Sequence, residues 1–128
     1  GLCLHSEGNG EAEGVFEGSG SDEFTWVTVA RTEAGELAGV HTFEVYDEGA
    51  GGLFLRSYAT WVSKDHRRKG IGSDLWRKSL EETQVRGVDV CCISHSSIKM
   101  ISSLEKEYPQ LEWQVYEGAG NTVERIAA

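Results

Sequence analysis

The sequence contains only one proline and three cysteines, and it has no long apolar run. An odd number of cysteines does not form a complete disulfide framework, so we expect reduced thiols, with Cys91 and Cys92 in the core. No apolar stretch approaches the roughly 18 residues that a membrane span needs, and no basic stretch followed by an apolar one predicts a secretory signal. These absences predict a cytoplasmic protein with no membrane partner.

Basic residues are scarce, since 12 lysines and arginines stand against 21 aspartates and glutamates. The net charge of −9 argues against a nucleic-acid partner. It suits a basic partner such as an amine, although an acidic surface also serves solubility. The four histidines lack the spacing to cysteines or carboxylates that metal sites show, so we expect no metal.

The length and the apolar content predict a single folded domain preceded by a short segment. A chain of 128 residues with 39% hydrophobic residues and four tryptophans has room for one sizeable core. Residues 1–23 are rich in glycine and glutamate, and we interpret them as an acidic N-terminal segment. Residues 24–128 then form the single domain.

Strand patterns dominate the first half of that domain. Alternating and β-branched residues predict strands at 24–30, 37–46 and 53–62, joined in an antiparallel meander. Gly35 supplies the positive φ of the first hairpin turn. In the middle strand, alternation separates two sets of side chains: Val40, Thr42, Glu44 and Tyr46 on one face, and His41, Phe43 and Val45 on the other.

Helices and strands alternate in the second half. We expect a helix over about residues 70–86 that ends at Gly87, and a buried strand at residues 88–93. Because a strand-helix-strand crossover is right-handed, this strand lies parallel to and beside the strand at residues 53–62. The remaining elements are a helix capped by Ser96 or Ser97 and stopped by Pro109, and strands at 111–116 and 122–126. The order β-β-β-α-β-α-β-β is a mixed, mostly antiparallel α+β sheet with one β-α-β unit.

A basic turn lies between the third strand and the first helix, with the sequence Arg67-Arg68-Lys69-Gly70-Ile71-Gly72. Free backbone N–H groups at a helix start bind anions, and glycines let the backbone approach them closely. Leu75 stands where a dinucleotide-binding fingerprint needs its third glycine, and no Gly-Lys-Ser/Thr closes a P-loop. The turn therefore predicts a different kind of phosphate site.

This turn resembles the Arg/Gln-x-x-Gly-x-Gly/Ala motif of the GNAT superfamily of N-acyltransferases. The resemblance implies that the β-α-β unit binds acetyl-CoA, with the strand edge pairing the pantetheine arm and the turn holding the pyrophosphate. The implied cofactor-binding residues are Thr60, Trp61, Val62, Arg67, Arg68, Lys69, Gly70, Ile71, Gly72, Ser73 and Ser97. The resemblance implies two acceptor-binding helices before the second strand, and we expect that the glycine-rich residues 1–23 do not supply both.

The candidate catalytic residues are chosen by residue type and by position. Glu44, Tyr58 and His41 qualify by type as the base, and the backbone N–H near Val62 as the oxyanion donor. The tyrosine that protonates the thiolate in the family is replaced by Leu104, but Tyr108 lies one helical turn further on. Tyr108 is therefore a candidate acid, and the alternative is a packing role beside the proline. Glu44 has a similar alternative as a solvated strand residue.

The resemblance implies an N-acetyltransferase that transfers an acetyl group from acetyl-CoA to a primary amine of a small molecule or peptide by direct attack. A catalytically degenerate acyl-CoA-binding module is the alternative, and a structural domain without ligand is the third possibility. We also expect a homodimer, formed through residues 111–126 or across the acceptor cleft, because the reduced N-terminal segment leaves apolar surface to cover.

Overall fold

Seven strands and two α-helices make up the part of the chain that the computed structural model describes, which is residues 2–8, 26–49, 52–92, 94–119 and 122–125. The strands are β1 (Leu2–Gly8), β2 (Trp26–Thr32), β3 (Leu37–Asp47), β4 (Leu53–Val62), β5 (Gly87–Cys92), β6 (Glu112–Ala119) and β7 (Thr122–Arg125). The helices are α1 (Ile71–Thr83) and α2 (His95–Glu107), and a short 3₁₀ turn spans Lys64–His66.

The strands form one sheet in which their spatial order is their order along the chain. β1 to β4 are antiparallel neighbours, β5 is parallel to β4, β6 is parallel to β5, and β7 turns back antiparallel to β6. From β2 onward this confirms the predicted α+β class and element order. No described helix is long and apolar enough to cross a membrane.

β1 adds an edge strand that lies inside the predicted N-terminal segment. It pairs with β2 along its whole length, from Leu2 opposite Thr32 to Gly8 opposite Trp26. This strand therefore belongs to the sheet that we assigned to residues 24–128. The rest of the predicted segment and the first two residues of the predicted domain lie outside the described residues, so the division between residues 23 and 24 stays a prediction.

Both helices pack on the same face of the sheet. The main core joins side chains of α1, α2 and five of the strands, among them Phe43, Leu55, Trp76, Val88, Ile101, Leu104 and Val115. On the surface, Arg77 of α1 donates two hydrogen bonds to Glu107 of α2, at 2.7 and 3.1 Å. The predicted alternation of β3 is confirmed, since His41 and Phe43 face the helices while Glu44 and Tyr46 lie on the opposite face.

Glycines and caps fix the ends of the elements, in two places differently from the sequence prediction. Gly35 has a φ of 85° in the β2–β3 turn, as expected. The end of α1 was predicted wrongly: Gln84, with a φ of 49°, is the left-handed cap. Gly87 instead begins β5. A glycine is required there because a Cβ would lie 2.4 Å from the ring of Phe54. Its role is close packing rather than helix termination.

Two further sequence predictions are corrected near the start of α2. The N-cap is Ser94, not Ser96 or Ser97, because its hydroxyl accepts a hydrogen bond of 3.1 Å from the backbone N–H of Ser97. Cys92 is buried as predicted, but Cys91 points to the other face of β5 and is exposed. Only one of the two adjacent thiols is therefore a core residue.

Candidate functional site

The parallel strands β4 and β5 separate soon after they meet. They pair only at residues 54–56 with residues 87–89, although both continue well beyond that point. A bulge in β4 lies where they separate, since Phe43 is opposite Ser57 and Thr42 opposite Ala59, so β4 has one more residue than β3 over this stretch. A bulge bends and twists its strand, so it turns β4 away from β5. The predicted divergence of the two strands is therefore present.

A cavity of about 610 Å³ fills the wedge between the two strands. Its sides are residues 57–60 of β4 and residues 90–92 of β5. Trp76 of α1 and Ile101 of α2 form its base, and Ser94 and Ser97 lie at the start of α2. The edge of β4 beyond Arg56 has no partner strand on this side among the described residues. An extended ligand with amide groups can pair with such an edge as an added strand.

The basic turn lies at the open end of this wedge, where β4 stops and α1 begins. Arg68 and Gly70 both have left-handed backbone conformations, with φ of 64° and 77°. Gly70 is the N-cap of α1 and offers no side-chain acceptor, so the N–H groups of the first turn are available to an anion. Arg67 is anchored, because its Nε donates a hydrogen bond of 3.0 Å to the carbonyl of Val62.

Gly72 joins the turn to the cavity. A Cβ at this position would lie 3.2 Å from the Sδ of Met100 and about 4 Å from the methyl groups of Thr60 and Val62. Met100 and Thr60 themselves line the cavity. The cavity and the anion-binding turn are therefore parts of one continuous groove.

The three predicted strand-edge residues have different surroundings. The Oγ1 of Thr60 accepts a hydrogen bond of 3.0 Å from the Nε1 of Trp76, which fixes this side chain against α1. The side chain of Trp61 packs on the opposite face of the sheet, and Val62 packs toward the start of α1. Trp61 can therefore contact a ligand in the wedge only through its backbone.

The candidate catalytic side chains are not brought together. Tyr58 lines the cavity and is 37% exposed. Glu44 is bound to Arg56 at 2.9 Å on the sheet face away from the helices. Tyr108 lies at the C-terminal end of α2, where its carbonyl accepts a hydrogen bond from Trp113, and burial raises the pKa of its hydroxyl. Of the three, only Tyr58 is part of the cavity wall.

Ser57 is the part of the site that sequence reasoning missed, and with it the contact to the imidazole of His41, which the sequence offered only by type as a candidate base. The Nε2 of His41 lies 2.9 Å from the Oγ of Ser57, which lines the cavity. The imidazole is stacked between Phe43 and Trp76, at 4.7 and 4.4 Å between ring centroids. Burial lowers the pKa of His41 to about 3, so the ring is neutral at physiological pH. Alternation places His41 on the helix face, but no local signal pairs it with a serine 16 residues away.

A mixed sheet with diverging parallel strands, beside an uncapped helix start, is the arrangement that the predicted resemblance to N-acyltransferases implies. The sequence matches the Acetyltransferase (GNAT) family over residues 6–102. The chain belongs to this family, and the predicted resemblance and enzyme class are confirmed. No curated protein matches the sequence.

Solved structures share this fold at low sequence identity. Aminoglycoside acetyltransferase meta-AAC0020 from an uncultured soil metagenomic sample, in complex with sisomicin, has a TM-score of 0.61 and is 18% identical, with 94% of this chain and 96% of that chain covered. Arabidopsis thaliana NAA60 in complex with acetyl-CoA has a TM-score of 0.58 at 16% identity, covering 82% and 86%. A Pyrococcus furiosus protein provisionally named an acetyl transferase is 25% identical, with a TM-score of 0.54; 62% of this chain is covered, and the chain spans only 56% of that protein.

Proposed function

We propose that the chain is an N-acetyltransferase that transfers an acetyl group from acetyl-CoA to a primary amine of a small molecule or peptide. The observation that carries this proposal is the continuous groove between β4 and β5, which runs from a 610 Å³ cavity to the uncapped start of α1. Membership of the family supports acyl transfer in general. The groove supports a long anionic cosubstrate with an extended arm.

Acetyl-CoA binds with its pyrophosphate at the N–H groups of Ile71, Gly72 and Ser73. Arg67, Arg68 and Lys69 are all exposed around this point and supply positive charge to an otherwise acidic protein. The pantetheine arm lies along the free edge of β4, with Ser97 near the other wall. In this arrangement the turn neutralises the charge of the pyrophosphate, and the strand edge orients the pantetheine arm.

The amine attacks the thioester carbonyl directly. Its nitrogen forms a bond to the carbonyl carbon, the carbonyl oxygen becomes an oxyanion, and the C–S bond then breaks to release the CoA thiolate. Because the pyrophosphate lies at the turn just after Val62, the thioester lies further down β4. A backbone N–H on the free edge of β4 beyond Arg56 therefore stabilises the oxyanion, rather than the predicted N–H near Val62. Tyr58, the candidate base that lines the cavity, takes the proton that the amine loses. Release of the thiolate without a side-chain acid is acceptable, because thiolates are stable leaving groups near neutral pH.

The acceptor class follows from charge and from the named activities of similar structures. One neighbour is named an aminoglycoside acetyltransferase, and another, from Brucella melitensis biovar Abortus 2308, a ribosomal-protein-alanine N-acetyltransferase at 16% identity. These names include both a small molecule and a protein amine. The net charge of −9 favours a cationic acceptor of either kind.

Two measurements test this proposal. Acetyl-CoA is expected to raise the melting temperature, and free thiol is expected to appear when acetyl-CoA is mixed with a panel of amines and peptides. A thermal shift without thiol release for any amine would instead support a catalytically degenerate acyl-CoA-binding module that acts as a sensor or partner domain. The absence of both effects would overturn the proposed function.

A further inference from the structure

A chain of five hydrogen-bonded side chains runs through the core from β1 to the cavity. Ser6 contacts Thr28 at 2.7 Å, Thr28 contacts Ser79 at 2.7 Å, and Ser79 contacts the Nδ1 of His41 at 2.9 Å. His41 then contacts Ser57 at 2.9 Å. Thr28, His41 and Ser79 are fully buried, whereas Ser57 lines the cavity.

The hydroxyl of Ser79 determines which group donates and which accepts in each of these side-chain hydrogen bonds. A serine hydroxyl has one proton, and that of Ser79 is donated to the carbonyl of Leu75 at 2.8 Å. Ser79 can therefore only accept from its other partners, so the Nδ1 of His41 carries a proton. In a neutral imidazole the Nε2 is then an acceptor. The proton of Ser57 consequently points to His41, and only the lone pairs of Ser57 remain for the cavity.

We propose that Ser57 holds the attacking amine by accepting one of its N–H groups, and that His41 is the positioning residue that keeps the Ser57 oxygen an acceptor. This inference rests on the proposed acetyl transfer and assigns the amine a contact at that site. A neutral amine that donates one N–H to Ser57 keeps its own lone pair free for the thioester carbonyl. A group that can only accept hydrogen bonds is not held.

The position of Ser57 along β4 agrees with this role. Ser57 lies next to the last residue of β4 that pairs with β5, at the closed end of the wedge. The anion-binding turn begins after Val62, five residues away, which is about 16 Å along a strand. An extended arm whose phosphates lie at the turn directs its other end, the thioester, toward Ser57.

The Ser57–His41 pair has the spacing of a nucleophile and its base, but the surroundings of the imidazole disagree with that role. A catalytic histidine of this kind is oriented by a group that stabilises the imidazolium, usually a carboxylate. Here the second nitrogen meets the neutral hydroxyl of Ser79, and the ring faces are covered by Phe43 and Trp76. No carboxylate is among these contacts, and complete burial holds the ring neutral, so an acetyl-serine intermediate is not expected.

Variants of Ser57 and Ser79 test the two halves of the inference. Ser57→Ala is expected to lower kcat/KM for the amine by about 10–100-fold, since small losses of alignment have effects of this size, with KM for acetyl-CoA nearly unchanged. Ser57→Thr keeps the hydroxyl and should restore most of the activity. Ser79→Ala frees the Nδ1 proton, and ¹⁵N NMR should then show mixed tautomers of His41, where the wild type shows Nδ1–H alone.

Thr28→Val is the matched control, because it removes a hydrogen bond to Ser79 but none to His41. It should lower the melting temperature and leave both the tautomer and kcat/KM as in the wild type. Three results would each overturn this inference but not the proposed function. The first is an active wild type with unchanged kcat/KM in Ser57→Ala. The others are an Nε2–H tautomer of His41 in the wild type and an acetyl group on Ser57 found by mass spectrometry. A wild type that neither binds acetyl-CoA nor releases thiol would overturn the proposed function as well.

Discussion

Thr28 and Thr42 lie on the paired strands β2 and β3, one residue apart in register, and point to opposite faces of the sheet. Both are completely buried. The Thr28 hydroxyl has hydrogen bonds of 2.7 Å to Ser6 and to Ser79. The Thr42 hydroxyl has no hydrogen-bond partner in the part of the chain that the structure describes.

The same substitution should therefore have different effects at these two positions. Thr28→Val removes a bonded hydroxyl and takes a partner from the buried Ser79 and the half-buried Ser6, so the free energy of unfolding should fall by about 1–3 kcal/mol. Thr42→Val removes an unsatisfied hydroxyl, so stability should stay the same or rise. Urea unfolding of both variants measures the difference. An equal loss in the two would mean that the Thr42 hydroxyl is bonded.

Gly70 and Gly35 form a second matched pair for testing the anion-binding turn. Both have a positive φ, of 77° and 85°, and both have open space where a side chain would lie. Valine at either position should cost about 1–3 kcal/mol of stability through backbone strain. Only Gly70→Val should also weaken acetyl-CoA binding, by about tenfold or more, because it distorts the cap whose N–H groups hold the pyrophosphate. Calorimetry showing equal affinity for both variants would contradict this.

The buried imidazole predicts a specific loss of stability at acidic pH. The pKa of His41 is lowered from 6.5 to about 3 in the folded protein, so between these values only the unfolded chain binds the proton. Stability is therefore lost as the pH falls, by about 2 kcal/mol from this residue between about pH 7 and pH 5. Urea unfolding of wild type and His41→Gln at both pH values isolates the contribution. Equal losses in the two proteins would show that His41 is not held neutral.

Tyr58 and Tyr108 should respond differently to removal of the hydroxyl. Tyr58 lines the cavity, whereas Tyr108 packs at the end of α2 beside Trp113. We expect Tyr58→Phe to lower turnover, and Tyr108→Phe to keep near wild-type turnover with at most a small drop in melting temperature. Steady-state rates and melting curves on the same samples decide this. Lost turnover in Tyr108→Phe at unchanged acetyl-CoA affinity would restore its role as the acid that protonates the thiolate.

The predicted homodimer is tested by mass in solution. Light scattering at micromolar concentration should give about twice the 14.1 kDa of one chain. Trp113 packs against the protein's own core. If the dimer forms through residues 111–126, a charged substitution at Trp113 should therefore reduce the measured mass less than one in the edge strand β7. A mass of one chain would contradict the expectation of a dimer.

The order of the elements could be predicted from the sequence because it depends on local signals. Strand alternation, the glycine turns and the basic turn before α1 each act over a few residues. The end of α1 was missed because the helix stops at Gln84 without a glycine, while Gly87 is required by the ring of Phe54 from a neighbouring strand. Such packing requirements have no signature within one segment.

The binding part of the site was likewise easier to predict than its chemistry. Gly70 and Gly72 belong to one short motif, and their positions follow from it. His41 could be chosen only by residue type, and its neutral state follows from Phe43 and Trp76, which lie on different elements. Ser57 gave no signal at all, because its role depends on a bulge that is visible only when β3 and β4 are paired.

The separation of β4 and β5 also bears on aggregation. A free strand edge on the outside of a sheet can pair with another molecule, and proteins commonly protect such edges. Here the free edges of β4 and β5 face each other inside the wedge. The three residue pairs between β4 and β5 close one end of the wedge, and Trp76 and Ile101 form its base. The cavity of about 610 Å³ in the wedge has the volume of a small-molecule site rather than of a second sheet. The separation of β4 and β5 therefore exposes backbone hydrogen-bonding groups to a small ligand and at the same time keeps them from pairing with strands of other proteins.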